Sequence, residues 1–167
     1  LGQTHGKDWR YAPALLGTPG GPDGWRAPAP GDADPGGTAY GIALLSRLPL
    51  ADTETVLLPQ AGRDEPRVAL VAGLDHGGRR LTVAGTHLSF VPGPNLTQLR
   101  ALQRHLDERG GPRLLLGDLN LWWPAVRLLS LPGWRPLVHG GTFRNHPPGS
   151  SAPLVQLDHV LAAGADA

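Results

Sequence analysis

The stretch RLLLGDLN, residues 113–120, decides both the fold and the candidate site. Its apolar residues are typical of a buried strand, and Gly117 begins a turn that carries Asp118 and Asn120 two residues apart. Loops at the ends of core strands hold side chains in fixed positions, which favours a functional role for this acid and this amide. The alternative is an Asx turn, in which both side chains bond only local backbone.

Composition restricts the class of protein. The 167 residues are enough for one domain with a hydrophobic core, and the formal net charge of +1 gives no general argument for binding nucleic acid or a membrane surface. The chain has no Cys, which excludes disulfides and Cys-ligated zinc. No apolar run approaches the ~20 residues of a membrane span, and no signal peptide is found. We therefore expect a soluble monomer, in the cytoplasm rather than secreted.

The pattern along the chain predicts more strands than helices. A Gly/Pro-rich loop is expected over 13–38, and Gly77-Gly78 marks the turn of a β-hairpin. One helix is expected to begin with Asn95 as its cap, and a second helix is expected over 122–131. Strands are predicted at 40–47, 55–58, 67–74, 80–88, 113–117 and 155–162. This order predicts mixed sheets covered by helices, an α/β domain of the α+β type.

Polar side chains recur at the ends of these strands or inside them. They are Glu65, His87, the Asp118/Asn120 pair, Asp158 and His159. Burying a carboxylate or an imidazole costs several kcal/mol unless the group is paired, so we expect these residues to have partners. The hairpin favours a Glu65–His87 pair, in which the carboxylate fixes the tautomer of the imidazole.

Asp, Asn, His and Glu without Cys or a nucleophilic Ser motif are typical of metal-assisted hydrolysis. Hard oxygen ligands, here those of Asp118 and Asn120, suit Mg²⁺ or Mn²⁺, which polarises a phosphoryl oxygen. A carboxylate, or a histidine held by one, activates water for in-line attack. Asn and His side chains donate to the phosphate oxygens, where negative charge develops.

The order of these residues resembles the endonuclease/exonuclease/phosphatase superfamily, which includes deoxyribonuclease I and exonuclease III. The matching segments are YGIALLSRLPL (40–50), EPRVAL (65–70), THL (86–88), LLLGDLN (114–120), Thr142-Phe143 and QLDHVL (156–161). The resemblance implies a four-layer sandwich of two mixed β-sheets flanked by helices. It also implies divalent-metal-dependent cleavage of a phosphoester.

Carried over position by position, the resemblance implies a role for each residue. Asp118 would orient or deprotonate the attacking water or protonate the leaving group, and Asn120 would hold the phosphate. His87 would contact a phosphate oxygen or transfer a proton, with Glu65 orienting it. Asp158 matches an internal Leu-Asp-(Tyr or His) strand motif of the family, whose Asp orients the catalytic His. In a less favoured alignment, Asp158-His159 is the terminal Asp-His pair itself.

The family's upstream Gln-Glu and terminal Ser-Asp-His have no counterpart in the sequence. We therefore expect 1–167 to be a single domain that is incomplete at both ends, and to bind Mg²⁺ poorly and hydrolyse slowly by itself. Trp122 and Arg144 are candidate substrate contacts, although Trp122 or Trp123 could instead pack a helix. The substrate could be nucleic acid, a phospholipid head group or an inositol phosphate. The alternative is a catalytically degenerate domain that binds a phosphorylated ligand or a partner protein.

Overall fold

The structure, a computed structural model, describes residues 7–17, 25–26, 39–62, 64–143 and 155–164. Strands outnumber helices among these residues, as predicted. In chain order the elements are β1 (Asp8–Gly17), β2 (Trp25–Arg26), β3 (Ala39–Ser46), β4 (Ala51–Leu57), β5 (Val68–His76), β6 (Arg79–His87), α1 (Pro94–Asp107), β7 (Arg113–Asp118), α2 (Trp123–Leu129), β8 (Arg135–Pro136) and β9 (Asp158–Ala163). Neither of the two helices in these described ranges combines the length and the apolar character that a membrane crossing needs.

The larger sheet has six strands in the order β4-β5-β6-β7-β9-β8. β5 and β6 form the predicted hairpin, and Gly77 and Gly78 at its turn have φ angles of 58° and 76°, which glycine adopts without strain. β6 and β7 are parallel because α1 returns the chain across the sheet between them. The other pairings are antiparallel, so this sheet is mixed, as expected.

The smaller sheet has the order β2-β1-β3, and its pairings are antiparallel. The predicted Gly/Pro-rich loop over 13–38 is wrong at its start, because β1 continues through Pro13 to Gly17. A register shift between Pro13 and Leu15 accommodates the proline, which lacks the N–H that a regular ladder needs. Residues 25 and 26 pair with β1 as well, whereas 18–24 and 27–38 lie outside the described residues.

Two apolar interfaces hold the layers together. Alternate residues of β5 serve both: Ala69 and Val71 face the helices, whereas Val68 and Leu70 face the smaller sheet. This explains why β5 is apolar along most of its length, because both of its faces are covered. The helix-side cluster includes Leu99 of α1 and Val126 of α2, so both described helices lie in one layer of the sandwich.

The first helix begins one residue before its predicted cap. Pro94 occupies the first turn, where a proline needs no intrahelical hydrogen bond, and Gly93 precedes it without a capping side chain. Asn95 is therefore not the cap. It is buried, and its Nδ2 donates to the carbonyl of Asn120, 3.0 Å away. The helix thus supports the turn that carries the predicted site residues.

Candidate active site

Strand register brings three of the predicted site residues together. His87 ends β6 beside Asp118, which ends the parallel strand β7, and Asp118 pairs with Asp158, which begins the antiparallel strand β9. Directly opposed residues project from the same face of a sheet, so the three side chains share one end and one face of the larger sheet. Residues far apart in sequence thus meet at one edge of the fold.

The turn after β7 is both an Asx turn and part of this cluster. Asn120 N–H donates to Asp118 Oδ1 over 2.8 Å, as the Asx alternative requires, but the Asn120 side chain reaches across to the carbonyl of Leu88, 2.9 Å from its Nδ2. Leu88 N–H in turn donates to the carbonyl of Asp118 over 2.9 Å. The local turn is therefore bonded to the end of β6, which leaves Asp118 Oδ2 and Asn120 Oδ1 without a hydrogen bond among the described residues.

Backbone conformation fixes the residue types in this turn. A Cβ at Gly117 would lie 1.9 Å from the carbonyl oxygen of Thr86, so β6 and β7 approach each other more closely than any other residue type would allow. Asn120 has a φ of 48°, in the left-handed region that Asn tolerates better than most residues. Such backbone costs about 1–2 kcal/mol for an L-residue, and the contacts of Asn120 to Leu88 and Asn95 hold it in place.

His87 lies between Asp118 and a residue that the sequence did not single out. Its Nε2 is 3.6 Å from Asp118 Oδ2, and its Nδ1 is 2.7 Å from the hydroxyl oxygen of Tyr40 in β3. Burial lowers the pKa of His87 below its usual value and the positive charge of Arg67 adds to this, whereas Asp118, Glu65 and Asp158 act in the opposite direction. The neutral imidazole is therefore favoured.

The expected Glu65–His87 pair is wrong. Glu65 is half exposed, and its Oε2 lies 3.1 Å from the guanidinium of Arg67, which is only 4% exposed. The Arg67 Nε and Nη1 atoms have no hydrogen-bond partner, so Glu65 is the one counterion that this buried cation has in the described part of the chain. Tyr40 takes the place at His87 instead. The sequence could not show this, because Tyr40 belongs to the other sheet.

Asp158 and His159 have different surroundings. Asp158 is exposed, and its backbone N–H donates to Thr142 Oγ1 over 3.1 Å, which connects it to the Thr142-Phe143 segment. His159 is buried, and its Nε2 donates to the carbonyl of Leu121 over 2.7 Å. Burial lowers the pKa of His159. His159 therefore holds the segment after Asn120 in place, and Asp158 alone of the two faces solvent.

The aromatic residues after the turn are not part of the core. Trp122 is 67% exposed at the start of α2. Trp123 stacks on His139 with ring centroids 4.4 Å apart, and the Arg127 guanidinium lies 5.7 Å from its ring centroid. Of the predicted substrate contacts, Trp122 is thus available beside the turn, whereas Arg144 lies outside the described residues.

The oxygen atoms at this edge fit a hard divalent cation in their chemistry. Asp118 Oδ2 and Asn120 Oδ1 are a carboxylate and a carboxamide oxygen, and Mg²⁺ commonly takes one or two protein oxygens and fills its other positions with water and phosphate. Among the described residues, no group of three or more His, Cys, Asp or Glu side chains is arranged to hold a metal. The two oxygens can therefore supply part of a Mg²⁺ site, and the set is open toward solvent.

A groove of about 430 Å³ adjoins this edge. Its lining residues are Ala61, Asp64, Glu65, Phe90, Val91 and Pro94. The buried Gln98 side chain of α1 connects the two segments that line the groove. Its Nε2 donates to the carbonyl of Pro59, and its Oε1 accepts from the N–H of Ser89. The lining is mainly apolar, and Asp64 and Glu65 are its charged members.

Comparison with solved structures identifies the same sandwich in enzymes of several kinds. A mannosyl-6-phosphatase from Bacteroides thetaiotaomicron has a TM-score of 0.68 at 16% identity, over 95% of this chain and 63% of that one. D. rerio TDP2 complexed with a single-strand DNA product has a TM-score of 0.59 at 19% identity, over 75% and 58%. Sphingomyelinase C from Streptomyces griseocarneus has a TM-score of 0.59 at 23% identity, over 74% and 52%. At these identities the likeness shows the fold, and this chain spans less than two thirds of each neighbour.

The sequence itself matches a family along nearly its whole length. No curated protein matches it. The model of the Endonuclease/Exonuclease/phosphatase family matches residues 4–167. Together with the fold, this match shows that the chain belongs to the endonuclease/exonuclease/phosphatase family.

Proposed function

We propose that this chain is part of a divalent-metal-dependent phosphoester hydrolase that activates water at Asp118. The observation that carries the proposal is the row formed by His87, Asp118 and Asp158 on three adjacent strands of the larger sheet. Asn120 joins this row through the turn that bonds to Leu88. Asp118 Oδ2 has no hydrogen bond among the described residues, so the contacts within the turn do not account for the whole of this row.

Asp118 is the candidate base. Its Oδ1 accepts from the N–H of Asn120, whereas its Oδ2 has no hydrogen bond among the described residues and lies 3.6 Å from His87 Nε2 in a partly exposed side chain. A carboxylate that is held by one oxygen can orient or deprotonate a water with the other, and then return the proton to the leaving group. Asp158 lies beside Asp118 in the same row, so two carboxylates share this end of the sheet.

Asn120 and His87 are the candidate phosphate contacts. One Nδ2 hydrogen of Asn120 is bonded to Leu88, which leaves the second hydrogen for a phosphate oxygen. His87 is held at Nδ1 by Tyr40 and directs Nε2 toward the site. Donors that are fixed before the reaction stabilise the charge that develops on a phosphoryl group without further reorganisation.

Asn120 would hold the metal through Oδ1 and Asp118 through Oδ2, whose second lone pair would still accept a hydrogen bond from the attacking water. When bound, Mg²⁺ or Mn²⁺ supplies polarisation of a phosphoryl oxygen and lowers the pKa of water. The negative charge at this edge favours such a cation. Of the charged groups that shift the pKa of His87, three are carboxylates, Asp118, Asp158 and Glu65, and one is a cation, Arg67.

The surroundings of this row support one substrate class over another. Exposed Trp122 and the mainly apolar groove suit a phosphoester that carries a base or an acyl portion, such as a nucleic acid or a phospholipid, better than a compact inositol polyphosphate. The structural neighbours include proteins named for a DNA product, a sugar phosphate and sphingomyelin, so a range of phosphoesters is compatible with this fold.

A panel of substrates tests the proposal. Since the chain spans less than two thirds of its structural neighbours, the assay uses the longest natural protein that contains it. Plasmid DNA, abasic duplex, sphingomyelin and inositol phosphates are each tested with Mg²⁺ and with EDTA. We expect turnover of at least one substrate with Mg²⁺ only, and Asp118→Asn should lower kcat/KM by about 10²- to 10⁴-fold. Asp75→Asn, at the opposite end of the sheet, is the matched control and should leave kcat/KM unchanged.

The second candidate function is a binding domain without turnover. The observation that favours it is the lack of three clustered His, Cys, Asp or Glu ligands in the described residues. In that case phosphate or a phosphoester would bind, Asn120→Ala would weaken the binding, and no substrate of the panel would be hydrolysed with Mg²⁺. Turnover that EDTA abolishes would exclude this candidate.

A further inference from the structure

The Tyr40 hydroxyl group, and not a carboxylate, contacts Nδ1 of His87. We propose that Tyr40 is a positioning residue that holds neutral His87 in the tautomer with hydrogen on Nε2. The Tyr40 hydroxyl oxygen lies 2.7 Å from Nδ1, and the two rings meet edge to face with centroids 6.3 Å apart. Because Tyr40 belongs to β3 and His87 to β6, this contact joins the two sheets of the sandwich.

The partners of the two ring nitrogens select the tautomer. A neutral imidazole carries hydrogen on one nitrogen only, and an ionised carboxylate only accepts hydrogen bonds. Asp118 Oδ2 lies 3.6 Å from Nε2, too far for a direct hydrogen bond, but its negative charge favours an N–H over a lone pair at Nε2. Nδ1 is then a lone pair, which the Tyr40 hydroxyl satisfies by donating. In the other tautomer, Nε2 and Asp118 Oδ2 would face each other as two acceptors.

This arrangement is the reverse of a histidine held by a carboxylate. A carboxylate at Nδ1 requires hydrogen there and leaves Nε2 as a base. Glu65 would have supplied that carboxylate, but it pairs with buried Arg67 instead. His87 in this chain is therefore built to donate from Nε2. This rests on the proposed function, in which His87 contacts a phosphate oxygen and Asp118 is the base: a hydrogen on Nε2 suits the first role and leaves the second to Asp118.

The tautomer can be measured without any substrate. Long-range ¹H–¹⁵N correlation spectra of the ¹⁵N-labelled protein at pH 8, where an imidazole of ordinary pKa ~6.5 is neutral, distinguish the two ring nitrogens. We expect His87 in the wild type to carry its hydrogen on Nε2. Tyr40→Phe should give a mixture of tautomers, and Tyr40→Glu should move the hydrogen to Nδ1. His87 with hydrogen on Nδ1 in the wild type would overturn the proposal, even if neither variant folds.

Tyr11→Phe is the matched control, because Tyr11 is the other of the two tyrosines of the chain and its hydroxyl has no hydrogen bond to a described residue. It should leave the His87 spectrum unchanged. A Tyr40→Phe spectrum equal to that of wild type would also overturn the proposal. Thermal unfolding of both variants shows whether the effect is local to the ring.

The catalytic arm uses the substrate that the panel identifies. Tyr40→Phe should lower kcat/KM by about 2- to 10-fold, the range of one neutral hydrogen bond, whereas Tyr11→Phe should leave it unchanged. If no substrate is turned over, the proposed hydrolysis fails, and the spectra still decide the role of Tyr40. If turnover is found but Tyr40→Phe leaves kcat/KM and the tautomer unchanged, the role of Tyr40 fails and the hydrolysis stands.

Discussion

The two ends of the larger sheet are both rich in charge, but they use it differently. Where β6 begins, the Arg80 guanidinium forms ion pairs with Asp52 and Asp75. Where β6 and β7 end, Asp118 lies between His87, whose lowered pKa favours the neutral imidazole, and Asp158, which has no ion pair in the described part of the chain. Charge alone therefore does not mark the candidate site. The site is marked instead by carboxylates that strand register places side by side, with no Lys or Arg ion pair among the described residues.

Each end also holds one non-glycine residue with left-handed backbone. Asp52 has a φ of 47° at the register shift of the edge strand β4, and Asn120 has a φ of 48° in the turn after β7. At Asp52 the conformation belongs to a bulge, which blunts a sheet edge. At Asn120 it directs a carboxamide to Leu88 and into the polar row. The same local strain thus serves an edge in one case and a site in the other.

Within this comparison of the two ends, the largest effect is expected when these two residues are exchanged for glycine, which adopts their backbone without strain. Asn120→Gly removes the carboxamide and should lower kcat/KM by about 10²- to 10³-fold, the range for a lost oxyanion donor. Asp52→Gly should leave kcat/KM unchanged. Steady-state kinetics on the panel substrate and urea unfolding measure both. Equal losses in the two variants would show that backbone strain, and not the amide, matters.

The ion pairs at the two ends should differ in strength. Glu65→Ala leaves the buried Arg67 guanidinium without its counterion and should cost about 1–3 kcal/mol of unfolding free energy, less than a fully buried pair because Glu65 is half exposed. Asp75→Ala breaks an exposed pair and should cost about 0–1 kcal/mol. Urea denaturation compares them.

Arg67→Met in the Glu65→Ala background provides the control for that comparison. Removing the unpaired buried cation should recover stability, because an apolar side chain of similar size needs no counterion. If the double variant is less stable than Glu65→Ala alone, Arg67 has another partner and the pairing described above is incomplete.

Protonation of buried His159 should destabilise the fold on the acid side. Its folded pKa is lowered, so the unfolded chain, with a pKa of ~6.5, binds the proton more readily. The contribution of neutral His159 to the unfolding free energy is full above about pH 6.5 and is lost as the pH falls from there toward the folded pKa. The pKa of His87 is shifted in the same direction. His159→Gln, which keeps a donor for the carbonyl of Leu121, should reduce the fall in stability between pH 7.5 and 5.5.

His76→Gln, at the exposed hairpin turn on the opposite end of the sheet, is the control for this pH series. It should leave the slope of unfolding free energy against pH as in the wild type. A His159→Gln protein with an unchanged slope would assign the pH dependence to other groups.

The smallest effect on stability is expected for Trp122→Ala. Its side chain is 67% exposed, so the unfolding free energy should change by no more than about 0.5 kcal/mol. Leu128→Ala, on the same helix and 78% exposed, is the matched control. If Trp122 stacks on substrate, its variant alone should raise KM, by about 10-fold or more. A loss of stability in Trp122→Ala would instead place it in the packing of α2.

Local patterns predicted most of the larger sheet. The Gly-Gly turn of the hairpin and the helical spacing of Leu99, Leu102 and Leu106 in α1 are patterns over a few residues, which can be read directly from the sequence. Two local predictions are wrong because they depend on contacts between distant segments. Asn95 does not cap α1, because Pro94 occupies the first turn and the Asn95 side chain bonds to Asn120. Pro13 does not lie in a loop, because a register shift accommodates it within β1.

The sequence by itself determined the family, the strand and turn that carry Asp118 and Asn120, and the residue types of the candidate site, because these depend on composition and short-range order. Only the tertiary structure decided the partners. Register between β6, β7 and β9 aligned His87, Asp118 and Asp158. Packing of the two sheets brought Tyr40, and not Glu65, to the imidazole. Which polar groups meet is a property of how the layers stack, and neighbours in sequence do not encode it.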